Sequence, residues 1–404
     1  MHNTFRKKII SAICTAVTAV SSLTVFPASP AAAKGPHVTV LGDSLGTNYN
    51  LKSGEYGYSD YIADYLKAGT YSRFSQNGQT SGELLYYLQH DPIIATAVSD
   101  SDVILVTIGS NDMLNALKSF VAANANEGEG FKEYALRVAK SGQQAAEDLT
   151  FDLNRALRTP RNTMLDNLKL INTQLRELNP DAKIVFQKLY NPFESKTTVY
   201  NGKDYSEQYQ TFLDYIRGHF KQINNGIEGL KNCVIADPYT QFRDHAWIYT
   251  FSDDEDVHPN ALGHAVMAAE TLEKLGYSTA AVPMFGTVLK AQNIKKGTEI
   301  PVETIRLLYD HAGFGDVDGD GEVTAFDSTL VLREFGEAIV GVDEEDRTSD
   351  RERISFGDVD MNGEVTAYDS YIILKYFGMR TADIDDVTMY DLASSLFLPS
   401  SKTT

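Results

Sequence analysis

The sequence predicts an α/β protein built on a parallel sheet, with a small, internally repeated acidic module at its carboxyl end. Three observations carry this. Short apolar runs alternate with longer segments of helical spacing over residues ~35–278. A serine in Gly42-Asp43-Ser44-Leu45 stands directly after the first run, His37-Val38-Thr39-Val40-Leu41. An acidic sequence that begins at Gly315 returns at Gly357, 42 residues further on.

Taken in order, the chain opens with Arg6, Lys7 and Lys8, an apolar run over 9–26 and the small residues Ala31-Ala32-Ala33. This is the pattern of a cleaved secretory signal, assigned to 1–33, and the protein is expected to be secreted. Ser and Thr within the run argue against a membrane anchor, and no later segment is apolar enough to span a bilayer. Cleavage removes Cys14 and leaves Cys233 without an internal disulfide partner. Cys233 precedes the apolar Val234-Ile235-Ala236 and is read as a packing residue.

Strands are expected at 38–41, 72–75, 103–108, 183–189 and 234–236, and helices at 60–67, 81–89, 164–178, 208–230 and 261–275. Residues 115–158 are polar and Ala-rich and read as a helical insertion, a candidate cover for the site. The parallel-sheet part is assigned to 35–278. Residues 279–303, with Lys295-Lys296-Gly297-Thr298 and Pro301, read as a linker or short β-rich connection. The repeated module takes 304–385, and 386–404 a loosely held tail. The formal charge of −19 excludes nucleic acid and anionic membrane as partners, because phosphate binding needs clustered Lys and Arg.

The repeat has the spacing of a twelve-residue calcium loop, with oxygen-bearing residues at positions 1, 3, 5, 9 and 12, a backbone carbonyl at 7 and glycine at 6. The first set is Asp316, Asp318, Asp320, Glu322 (backbone), Thr324 and Asp327; the second is Asp358, Asp360, Asn362, Glu364 (backbone), Thr366 and Asp369. Two calcium ions are therefore expected. Position 12 is aspartate where ordinary EF-hands carry glutamate, and before the first loop only 302–309 looks helical. With the duplication and the carboxy-terminal location, these about 70 residues resemble a type I dockerin. The resemblance implies a module that binds a cohesin domain of a scaffoldin in a cellulosome. It places partner choice at loop positions 10 and 11, which are Ala325-Phe326 and Ala367-Tyr368 here. An aromatic beside alanine differs from the hydroxyl pair more usual there.

A nucleophilic serine needs a base and donors for the developing oxyanion. His90 and His219 sit in expected helices. His264 in Ala261-Leu262-Gly263-His264 reads as a helix residue. His258 lies instead in the polar loop Asp253-Asp254-Glu255-Asp256-Val257-His258-Pro259-Asn260, with acids beside it to orient an imidazole. The loops at Asn77-Gly78-Gln79 and Gly109-Ser110-Asn111-Asp112 can present the Gly78 amide and the Asn111 side chain, or can be an ordinary turn and a helix cap. Gly42-x-Ser44-x-Gly46 also fits the nucleophile turn of α/β-hydrolases. That fold sets its serine after several strands and its acid well before the histidine, unlike the order here.

The order Gly-Asp-Ser-Leu, Gly78, Asn111, His258 resembles the SGNH (GDSL) hydrolase superfamily over about 240 residues. The resemblance implies a flavodoxin-like three-layer sandwich, Ser44 as nucleophile, His258 as base, and Gly78 and Asn111 with the Ser44 amide as oxyanion hole. The family's aspartate three residues before the histidine is Glu255 here. Glu255 is the first choice as acid, with Asp256, Asp254 or no side-chain acid as alternatives. Together the resemblances imply a secreted serine esterase, with no cofactor for catalysis, that removes acyl groups, above all acetyl, from plant-wall polysaccharide. A short-chain lipid or feruloyl esterase, or a docking protein that only binds, are the alternatives. Trp247, Tyr239, Tyr249 and Phe242 read as either a sugar-stacking wall or core.

Overall fold

The sheet follows from near-continuous apolar strands, buried on both faces, which only a parallel sheet covered by helices accommodates. The computed structural model describes residues 35–194, 199–200, 203–204, 206–251, 256–277, 282–292, 299–384 and 387–393. The signal assigned to 1–33 lies outside the described residues. Among them, no helix is long and apolar enough to cross a membrane.

The strands are β1 (His37–Gly42), β2 (Thr70–Arg73), β3 (Val103–Thr107) and β4 (Lys183–Gln187), then a separate hairpin of β5 (Val199–Tyr200) and β6 (Lys203–Asp204), then β7 (Val234–Ala236). The main sheet runs β2-β1-β3-β4-β7 and every pair in it is parallel. Its register sets Val38 beside Tyr71 and Val103, and Leu105 beside Val185. This is the flavodoxin-like order, in which the crossovers reverse between β1 and β3 and open a crevice beyond their carboxyl ends.

Period-two alternation divides the strand residues between two cores. Val38, Val40, Val103, Leu105 and Val185 face α1 (Tyr58–Tyr65) and the later helix over 261–274. Leu41, Ile104, Val106, Ile184 and Phe186 face α2 (Ser81–His90), α3 (Pro92–Ser99) and two long helices described next. Helix α2 starts at a capping box in which Thr80 and Glu83 satisfy each other's backbone amides.

The expected insertion is helical: α4 (Ser110–Asn124), α5 (Phe131–Lys140) and the first half of α6 (Gln143–Leu178), which continues through Pro160. Leu149, Leu153 and Leu157 of α6 form a small core with Leu117, Val121 and Tyr134, while Met164, Leu168, Ile171 and Leu175 pack on the sheet. The lobe is thus an outgrowth of one sheet-packing helix, and α7 (Ser206–Glu228) lies beside it. Short helices α8 (Pro238–Phe242) and α9 (Ala246–Tyr249) lead to α10 (Ala261–Lys274), buried from Leu262 to Leu272. A helix apolar on all sides needs cover on all sides. His264 is fully buried there, accepts the Tyr58 N–H at 3.1 Å on Nδ1, and is pushed down to about 3 by burial, so it is a neutral core residue. Phe242 and Tyr249 are likewise core, at 1% and 0% exposure, which removes them from any sugar-stacking wall.

What covers the outer side of α10 was not legible as such. The stretch 279–303, expected as a linker or β-rich connection, carries α11 (Pro283–Ala291), with Phe285, Val288 and Leu289 buried. Pro283 at the first turn and apolar residues at i, i+3 and i+4 are helix signals, overshadowed by the Lys-Lys-Gly that follows. The Phe285 ring stacks on Tyr61 of α1 at 4.5 Å, and Gly286 lies against Phe314 and Phe356 of the repeated module. Tyr249 Oη and Thr304 Oγ1 hydrogen-bond at 2.7 Å across the same junction. Residues 36–404 accordingly form one compact unit.

The module comprises α12 (Val302–Asp310), α13 (Ala325–Ile339), α14 (Arg351–Ile354) and α15 (Ala367–Thr381). Ser328 and Ser370, equivalent in the two repeats, each donate to the other's backbone carbonyl at 2.9 Å. The expected loose tail contains α16 (Met389–Ala393), whose Met389, Tyr390 and Ala393 are buried. Its T-x-x-D start, with the Thr388 amide on Asp391 and the Asp391 amide on Thr388, is a capping signal that holds this turn.

Candidate active site

The site is assembled at the crevice where the sheet order reverses. Strand β1 ends on Gly42, at φ +118°, and a Cβ there would fall 1.8 Å from the Thr107 carbonyl oxygen of β3. The close approach lets the Asp43 amide donate to that oxygen at 2.8 Å. The chain then turns sharply, with Gly46 N–H donating to the Asp43 carbonyl at 3.1 Å and Thr47 N–H to the Ser44 carbonyl at 3.2 Å. Ser44 is thereby set beyond the carboxyl end of β1, 9% exposed.

His258 reaches it from the far end of the chain. Its backbone is held by Phe251 N–H, which donates to the His258 carbonyl at 3.0 Å, and by a bridge between Thr250 and Pro259. Asn260 caps α10 through its side-chain oxygen, and a Cβ on Gly263 would lie 2.1 Å from the Tyr249 carbonyl oxygen. His258 Nε2 lies 2.9 Å from Ser44 Oγ, and Nδ1 contacts Asp256 Oδ1, which also accepts the His258 amide at 3.1 Å. An ionised carboxylate only accepts, so Nδ1 carries the proton and Nε2 is left to accept from the serine hydroxyl. Burial opposes ionisation of Asp256, but the hydrogen bonds from His258, with a smaller one from Asn50, hold its carboxyl below the usual range. Glu255, the first choice as acid, lies outside the described residues together with Asp254; the carboxylate found on Nδ1 is Asp256.

The two loops expected to supply donors are tied together. Asn111 stands in the first turn of α4, after Gly109 at φ +115°, and its Nδ2 donates to the Gln79 carbonyl at 3.1 Å. Asp112 beside it accepts from the Ser81 amide and hydroxyl at 2.8 and 2.6 Å. Gly78 precedes Gln79 at φ +80° and is exposed. Thr47 Oγ1 donates to Asn77 Oδ1 at 2.6 Å and so links this loop to the serine turn.

In the repeated module, the side chains of Asp316, Asp318 and Asp320 converge, and so do those of Asp358, Asp360 and Asp369, each set with ligand atoms within 4.8 Å of one another. Gly321 and Gly363 take φ +92° and +95° at the sharp turn, with open space where a Cβ would stand. Asp358 Oδ1 is buried without a hydrogen-bond partner among the described residues. This acceptor-only, glycine-turned donor set fits calcium. Asp327, at 0% exposure, accepts from the Val317 and Thr324 amides, and Asp369 from those of Asp360 and Thr366. Thr324 and Thr366 act as N-caps of α13 and α15, accepting from Phe326 and Tyr368 amides. Glu322 and Asn362 keep their loop positions, as does Glu364. Position-1 aspartates also meet cations: Arg353 lies 3.3 Å from Asp316 and Lys290 of α11 lies 3.4 Å from Asp358. Ala325, Phe326, Ala367 and Tyr368 open the first turns of the exiting helices, with Phe326 57% and Tyr368 44% exposed.

The fold and the serine–imidazole–carboxylate contact describe the class: an ester hydrolase on a flavodoxin-like sheet. The GDSL-like lipase/acylhydrolase family matches residues 40–266, more than half the chain, and the protein belongs to that family. A type I dockerin domain matches residues 314–378. Similar solved structures include the lipase Lip_vut3 from a goat rumen metagenome, at 22% identity, covering 59% of this chain and 97% of that one with a TM-score of 0.40. Another is phospholipase A1 from Streptomyces albidoflavus NA297, at 18% identity, covering 60% and 98% with a TM-score of 0.40. Uncharacterized protein YpmR of Bacillus subtilis (strain 168) is 21% identical over 244 residues, 59% of this chain and 80% of that protein. The chain is therefore an ester hydrolase carrying a dockerin, a module type that binds calcium and implies a cohesin partner in a cellulosome.

Proposed function

We propose that the protein is a secreted esterase that removes acyl groups, chiefly acetyl, from plant cell-wall polysaccharide while docked to a scaffoldin. The observation that carries the chemistry is the 2.9 Å contact between Ser44 Oγ and His258 Nε2, with Asp256 on the other ring nitrogen. The dockerin is what directs the substrate class, since it would hold the enzyme in an assembly working on the wall. In this reading His258 Nε2 takes the Ser44 proton as Oγ attacks the ester carbonyl carbon. The oxyanion is received by the Ser44 and Gly78 amides and the Asn111 side chain. Collapse breaks the bond to the sugar oxygen, which leaves with the proton from His258. Water then gives its proton to His258, attacks the acyl-serine and releases the carboxylic acid, restoring Ser44. Asp256 keeps the imidazole in the required tautomer and stabilises its cation.

Calcium, when bound, neutralises the converging carboxylates and orders the two loops that present α13 and α15. Asp316, Asp318, Asp320, Thr324 and Asp327, and Asp358, Asp360, Asn362, Thr366 and Asp369, would hold it with the Glu322 and Glu364 carbonyls. The cohesin surface is then Ala325, Phe326, Ala367 and Tyr368. The test is acetate release from acetylated xylan, expected for the wild type and abolished in Ser44→Ala. Turnover of p-nitrophenyl butyrate or feruloyl xylan without acetate release would move the assignment to a lipid or feruloyl esterase. Inactivity on all of them would leave a binding role.

A further inference from the structure

The turn that leaves the nucleophile reaches back to the other two members of the site. Tyr49 N–H donates to the Ser44 carbonyl at 3.3 Å, and the Tyr49 ring packs on the His258 ring with centroids 4.5 Å apart. The next residue, Asn50, donates its side-chain Nδ2 to Asp256 Oδ2. That is the oxygen still open once Oδ1 has taken the His258 ring and backbone N–H groups. A carboxylate gripped at one oxygen can rotate about its Cβ–Cγ bond; donors at both oxygens fix its plane. Asp256 stands only two residues before His258, and its own backbone is tied to the loop through its amide on the Phe251 carbonyl at 3.1 Å, which leaves the carboxylate itself to be fixed by its side-chain donors.

Asn50 is itself held. Asn48 and Asn50 take φ +59° and +64°, a backbone region that asparagine tolerates better than most residues. Asn48 Nδ2 donates to Asp60 Oδ2 at 2.5 Å, and that oxygen also accepts the Gly57 amide at 2.8 Å, so the turn is fastened to the start of α1. We propose that Asn50 is a positioning residue that locks Asp256 against His258, so that one turn carries the nucleophile and steadies both its base and its acid. The proposal rests on the Ser44–His258–Asp256 reading. Among the described residues, the titratable groups around Asp256 include His258, Tyr49 over the imidazole and Tyr190, whose hydroxyl donates to the Val257 carbonyl at 2.8 Å.

Two variants of the full-length protein test it on p-nitrophenyl acetate. Asn50→Gly removes the amide and keeps the left-handed backbone unstrained. Its kcat should fall about 10- to 100-fold, as expected when a reacting group is misplaced, with KM held within about twofold and the thermal midpoint unchanged. Asn50→Asp preserves shape but sets a second carboxylate against Asp256. The added negative charge favours the imidazolium, so the acidic limb of kcat/KM should move up by about one pH unit. A merely structural residue would not move that limb. Wild-type kcat in Asn50→Gly with an unmoved limb in Asn50→Asp overturns the role of Asn50. If Ser44→Ala and Asp256→Ala are inactive in the same assay, the triad reading survives that outcome. Activity retained in Ser44→Ala instead overturns the reading on which the proposal rests.

Discussion

Replacing Phe285 with alanine should unfasten the calcium module from the hydrolase. Phe285 is fully buried in α11, parallel to the Tyr61 ring at 4.5 Å with an interplanar angle of 5°, and 6.1 Å from the His311 ring. Tyr61 belongs to a helix on the sheet, whereas His311 precedes the first calcium loop and accepts the Val282 amide at 2.7 Å on its carbonyl. The side chain therefore fills the joint between two bodies that the sequence presents as separate. Truncating a buried phenylalanine costs about 3–5 kcal/mol through lost transfer energy and the cavity left behind. With an unfolding entropy of about 2.1 cal/mol/K per residue, a unit of this size loses roughly 4–6 °C. Scanning calorimetry with and without EDTA is the assay. The wild type should unfold in one transition that EDTA lowers as a whole. Phe285→Ala should unfold earlier and split into an EDTA-sensitive and an EDTA-insensitive step. Two independent steps in the wild type, or a Phe285→Ala midpoint within about 1 °C of it, would refute the shared-core argument.

Asp256→Ala should lower kcat by about 10²- to 10⁴-fold on p-nitrophenyl acetate and cost more than Glu255→Ala; the reverse order would return the acid to Glu255. Burial pushes the Asp43 carboxyl up to about 7 from an ordinary 3.8, so between those values the folded state holds more protons than the unfolded one. Stability from this group falls as pH rises through that window. Urea midpoints should show Asp43→Asn gaining on the wild type from about pH 4 to 7 and levelling off above, and a pH-independent gap would contradict the burial argument. Cohesin binding followed by calorimetry should vanish with EDTA; binding that persists would refute the calcium reading of the loops.

The five strands and their parallel arrangement were legible because buried strands leave short unbroken apolar runs. The edge strand was placed two residues late, since Thr70–Arg73 is half exposed and lacks such a run. The helical nature of 115–158 was also legible, but not that Leu149, Leu153 and Leu157 sit on the same helix as Met164 and Leu175. That helix passes through Pro160, a residue that ordinarily kinks or ends one. Residues 279–303 were misread because the Lys295-Lys296-Gly297 run and Pro301 are linker signals, while burial of Phe285 depends on Tyr61, over 200 residues away. The acid partner of His258 was open for a similar reason: adjacent acids compete, and only the fold of the loop decides which carboxylate meets Nδ1.

By itself the sequence determined the chemistry that lies in local order: a serine after the first strand, a histidine before the last helix, and two calcium loops whose ligand spacing is fixed by turn geometry. Tertiary structure decided everything that depends on meeting across the chain. It set His258 Nε2 2.9 Å from Ser44 Oγ, brought Asn50 to the second oxygen of Asp256, and joined the dockerin to the hydrolase through α11. Spacing along a chain constrains neighbours within a turn or two. A contact between residues 206 positions apart, such as Asn50 and Asp256, is set by how whole elements pack.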